Sequence, residues 1–83
     1  MTRTINYKNK SYNGIFVSIY KGIYDIYIDR QARLAILVGR KEVRAIVKLE
    51  TYQIDVLLDD EDDKFLDELE KLENKFENEM YND

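Results

Sequence analysis

The chain has 83 residues, with 17 acidic and 13 basic side chains, a formal net charge of −4, and no histidine, cysteine or proline. That length corresponds to one domain, residues 1–83. Lacking cysteine and histidine, the chain has no disulfide scaffold, thiolate metal site, cysteine nucleophile or imidazole base, which argues against most enzymes and for a small binding protein.

Residues 4–8, with Ile5 and Tyr7 facing inward, read as a first strand. Asn13-Gly14 is a turn signal, residues 15–20 are β-branched and aromatic, and Lys21-Gly22 marks the next turn. Over residues 23–29, Tyr24, Ile26 and Ile28 alternate with Asp25, Tyr27 and Asp29, the pattern of a strand with one wet face. Residues 33–38 are nearly continuous apolar up to Gly39. A strand is expected there, although residues 30–38 would also accept a helix, with Leu34, Leu37 and Val38 at helical spacing. Residues 42–49 alternate again. The stripe Tyr52, Ile54, Val56 and Leu58 predicts a further strand over 52–58, and its change of parity places a bulge or corner at Glu50-Thr51. All three glycines, Gly14, Gly22 and Gly39, read as turn residues.

The C-terminal segment changes period. Phe65, Leu69, Leu72 and Phe76 step by four, three and four, with Met80 four further on, and no glycine interrupts them. The spacing predicts an amphipathic helix over 60–80, with Asp60 or Asp62 as its cap. The expected architecture is α+β: a small antiparallel β-meander over 1–58, as a curved sheet or partly open barrel, followed by one acidic C-terminal helix. The sheet is covered on both faces by its own curl and the helix, or it dimerises through apolar residues such as Ala35, Leu37, Ile46 and Leu57.

Charge divides along the same line. Residues 1–58 hold ten basic and five acidic side chains, a balance of +5. Residues 59–83 hold twelve carboxylates and three lysines, a balance of −9. Helical turns about 5.4 Å apart can set such carboxylates in rows resembling a nucleic-acid backbone. Asp60, Asp63, Asp67, Glu70, Glu73 and Glu77 are therefore candidates to meet a protein partner with a basic surface, itself a nucleic-acid-binding protein. A solvated helix face is the plainer reading of the same run.

Two further surfaces stand beside it. Lys21, Arg33, Arg44 and Lys48, with Lys8, Lys10, Tyr7, Tyr20, Tyr24 and Tyr27 among them, could bind nucleic acid directly through a basic, tyrosine-rich sheet face. The stripe Phe65, Leu69, Leu72 and Phe76 serves either a homodimer or the chain's own core. Asp59, Glu61, Asp63, Asp67 and Glu70 match calcium-loop positions, but the sixth position, which needs glycine, is Lys64. No metal or other cofactor is expected. No apolar run approaches the length of a membrane helix and no signal peptide is visible, so a cytoplasmic protein is expected.

In size, cysteine-poor composition, Asn/Lys/Ile/Tyr-rich style and acidic helix, the chain resembles small proteins of bacteriophages and mobile elements. Some of these inhibit host defence by mimicking DNA, as anti-CRISPR-like proteins do. The resemblance implies a stoichiometric inhibitor acting by occlusion, without turnover.

Overall fold

The computed structural model describes residues 2–59, 61 and 63–81. Five strands, β1 (Thr2–Tyr7), β2 (Lys10–Tyr20), β3 (Tyr24–Asp29), β4 (Leu34–Val38) and β5 (Val43–Lys48), precede two helices, α1 (Thr51–Leu58) and α2 (Phe65–Tyr81). The strands form one antiparallel sheet in the order β1-β2-β3-β4-β5, the expected meander. In the ambiguous segment 30–38, Leu34–Val38 is strand and residues 30–33 form the turn before it, so none of it is helix.

Residues 52–58 are the main correction, because they form α1 and not a sixth strand. An eight-residue run can satisfy both periods, and capping decides between them. The Glu50 N–H donates to the Gln53 side-chain oxygen at 2.8 Å, and the Gln53 N–H donates back to the Glu50 carbonyl at 3.0 Å. Gln53 is buried in that role, as are its neighbour Ile54 and, one turn further on, Leu57. The parity change at Glu50-Thr51 is thus a helix start. The helix expected from residue 60 begins at Phe65, with Asp63 and Lys64 in a turn ahead of it, and its expected caps, Asp60 and Asp62, lie outside the described residues.

Asn13-Gly14 is not a turn either. The first hairpin turns at Lys8 and Asn9, both left-handed at φ 50° and 66°, and Gly14 lies inside β2 opposite Arg3. A Cβ on Gly14 would stand 2.8 Å from Tyr27 Cβ and 2.9 Å from Ile5 Cδ1. Gly14 is there because β2 passes closely under those two side chains. The turn expected at Lys21-Gly22 is present, at φ 55° and 71°, and closes with the Ile23 N–H on the Tyr20 carbonyl.

Both faces of the sheet are covered. On one, Tyr20, Ile26, Ile28, Ala35 and Leu37 meet Leu49, Ile54 and Leu57, together with Leu69, Leu72 and Phe76 of α2. On the other, Ile5, Tyr27, Ile36 and Val38 pack with Tyr12, Leu34, Val43 and Ile46. That second cluster joins residues of β1 to residues of β5, so the sheet curls around it. The register shift at Leu37/Val38 turns Val43 to the same side as Ile46. Each large apolar side chain buried this way stabilises the fold by roughly 1.5–3 kcal/mol relative to exposure.

The curl also corrects the expectation of a wet face on β3, where Tyr27 and Asp29 are buried. Asp29 is fully used there. Its two carboxylate oxygens accept the N–H groups of Asn13 at 3.1 Å and Ala32 at 3.0 Å, tying β2 to the β3–β4 turn.

Candidate protein-binding surface

The apolar stripe of α2 decides which way its carboxylates face. Leu69, Leu72 and Phe76 are buried against the chain's own sheet, with Phe65 and Met80 packed beside them. At about 100° per residue, Asp67 and Glu70 then lie on the far side of the helix, and both are exposed. Asp63, just ahead of the helix, is exposed as well. Leu66 shares this outer surface and is 73% exposed.

The other three acidic candidates differ. Glu73 is half-buried, and burial, with the neighbouring Glu70 charge, pushes its carboxyl above the usual value. Glu77 is engaged internally. Asp60 lies outside the described residues.

Glu77 belongs to a three-residue clamp between α2 and the β2–β3 turn. The Tyr20 hydroxyl donates to Glu77 Oε2 at 2.5 Å, and Lys21 Nζ reaches the same oxygen at 2.8 Å. The Lys21 ammonium also lies 5.3 Å from the centre of the Tyr20 ring. The bonds from Lys21 and Tyr20 hold the Glu77 carboxyl below the usual glutamate range. The bond to Glu77 lifts the Lys21 ammonium, while burial first and Glu77 second lift the Tyr20 phenol. The Lys21 and Glu77 side chains remain 49% and 43% exposed, so water screens this pair.

The basic candidates do not converge. Lys21 is in the clamp. Arg44 follows the β4–β5 turn, where it pairs with Glu42 at 3.4 Å. Arg33 and Lys48 sit at the opposite end of the strands, Arg33 in the β3–β4 turn and Lys48 opposite Leu34. Strands of six residues separate the two ends by about 20 Å. The tyrosines are dispersed too. Tyr27 is buried beneath Arg3 and against Phe16, Tyr20 lies in the helix-side core, and Tyr7 stacks with Lys8 at one hairpin end.

Among the described residues, no three carboxylates stand close enough to hold a metal ion. In the acidic run, Asp59 Oδ1 instead accepts the Glu61 N–H at 3.2 Å. Among the described residues no helix is long and apolar enough to cross a membrane.

Comparison with known proteins finds no protein-family model, no curated protein and no solved structure that matches the chain.

Proposed function

We propose that this protein is a non-catalytic binding module that presents the outer face of α2 to a basic protein partner, as a stoichiometric inhibitor or regulator. The observation that carries this reading is the division of α2. Its apolar stripe is spent on the sheet, and Asp63, Asp67 and Glu70 are left exposed along the outside. A group of exposed carboxylates on a helix and just ahead of it attracts a positively charged surface and speeds encounter at low salt. A partner that handles nucleic acid offers such a surface, and occupying it excludes the nucleic acid.

The test is capture from a lysate of the native cell by the tagged protein and by the triple variant Asp63→Lys, Asp67→Lys, Glu70→Lys. The expected result is one basic protein, released by salt, resistant to nuclease and lost with the variant, whose circular dichroism matches wild type. Equal capture by both proteins, or capture abolished by nuclease, contradicts the reading.

A further inference from the structure

We propose that the cleft between α1 and α2 is the seat of an arginine side chain from the partner protein, with Glu68 as its acceptor. This deepens the reading of α2 as the face for a basic partner and rests on it. Glu68 is only 6% exposed, although it follows the exposed Asp67. Its Oε1 accepts from Lys71 Nζ at 3.2 Å. Its Oε2 is buried and meets no donor among the described residues. A buried carboxylate oxygen without a donor is rare in folded proteins, and with the carboxylate this buried a guanidinium reaches it only after Lys71 has moved aside.

The space beside it has the right size and lining. The cleft encloses about 480 Å³ and is lined by Tyr52, Val56, Lys64, Asp67, Glu68 and Lys71. A single water needs far less room. Tyr52 and Val56 stand one turn apart on α1 and form an apolar wall for an aliphatic stem. Tyr52 is 60% exposed, so its ring is open to a planar cation. Asp67 adds a second carboxylate at the rim.

The lining favours arginine over lysine. A guanidinium can donate to Glu68 while stacking on Tyr52, and it spreads its charge over a plane. A compact ammonium would concentrate that charge beside Lys71. The Lys71 side chain is 67% exposed, so it can swing clear of Glu68. Lys64 has an interaction of its own.

The experiment is an amide NMR titration of the whole protein with N-acetyl-arginine methylamide, with the norleucine analogue as control. The expected result is a saturable shift at Tyr52, Val56, Asp67, Glu68 and Lys71, absent with norleucine. Glu68→Gln should weaken the site about tenfold, the loss of one charge-assisted bond. Tyr52→Ala, at an exposed position, should weaken it about threefold through loss of the cation–π contact. Lys71→Gln should tighten it. Shifts that never saturate, as for a pocket filled by water alone, overturn the proposal. So does unchanged affinity in both Glu68→Gln and Tyr52→Ala. Partner capture separates this proposal from the reading beneath it. Capture lost in the triple α2 variant but kept in both cleft variants overturns the cleft and leaves the face standing. Capture kept in all of them overturns both.

Discussion

The Tyr20 hydroxyl and the Glu77 carboxylate lie 57 residues apart in sequence and 2.5 Å apart in space. Lys21, the next residue after Tyr20, reaches the same carboxylate oxygen at 2.8 Å. A hairpin turn is thereby fastened to the last turns of α2. The buried stripe of Leu69, Leu72 and Phe76 sets the rotation of the helix on the sheet, and the clamp adds a polar tie to the same placement.

The clamp makes stability fall at both ends of the pH range. Glu77 has a lowered folded pKa. Its contribution is present above the ordinary glutamate value of about 4.3 and is lost as pH falls through the lower folded value. Lys21 and Tyr20 have raised folded values. Their contributions are present below about 10 and are lost as pH rises through those values. Urea unfolding across pH should therefore show a shallower acid-side decline in Glu77→Gln than in wild type. Equal acid slopes would show that the clamp carries no stability.

Glu73 works in the opposite direction. Its folded pKa is raised, first by burial and then by Glu70. Its contribution is present below about 4.3 and is lost as pH rises through the raised value, so the ionised form is a cost at neutral pH. Glu73→Gln should raise the melting temperature at pH 7 and change it little at pH 4. A variant that melts lower than wild type at pH 7 would contradict this.

Two glycines should respond differently to alanine. At Gly14 the added methyl meets Tyr27 and Ile5 at under 3 Å, and overpacking of this kind costs about 1–3 kcal/mol. At Gly22 nothing lies within 4 Å, and only the left-handed φ of 71° opposes the substitution, a cost of about 1 kcal/mol. Gly14→Ala should also shift the NMR signals of Ile5 and Tyr27, which Gly22→Ala should leave in place. Denaturant midpoints in the reverse order would mean that β1 gives way easily at Ile5.

Much of this fold is legible as periodicity. Alternation over β3 and β5, the Lys21-Gly22 turn and the four-three-four step of Phe65, Leu69, Leu72 and Phe76 all report local geometry, and the structure has a strand, turn or helix at each. What escapes the sequence is in one case a local cap and otherwise depends on contacts far along the chain. Residues 52–58 carry apolar side chains at both strand and helix spacing, and only the reciprocal pairing of Glu50 with Gln53 separates the two. Asn13-Gly14 has the chemistry of a turn, yet the approach of Tyr27 and Ile5 claims Gly14 for the strand. Tyr27 and Asp29 sit at positions that alternate toward water, and the curl of the sheet buries them. On the surface, the exposed Asp67 and Glu70 follow from the helical pattern alone, while Asp63 stands in the turn ahead of it. The engagement of Glu77 by Tyr20 and Lys21 does not, since nothing local links α2 to the second hairpin. The charge count likewise groups Lys21, Arg33, Arg44 and Lys48, which the meander sends to opposite ends.

We propose that the exposed carboxylates Asp63, ahead of α2, and Asp67 and Glu70, on it, meet the partner. The most direct measurement is the affinity of wild type and of the Asp63→Lys, Asp67→Lys, Glu70→Lys variant for the captured partner, taken at low and high salt. Each exposed charge pair contributes about 0.5–1 kcal/mol, so the triple reversal should weaken binding about tenfold or more and flatten its salt dependence, with the melting temperature nearly unchanged. Equal affinity and equal salt dependence in the two folded proteins would contradict the claim.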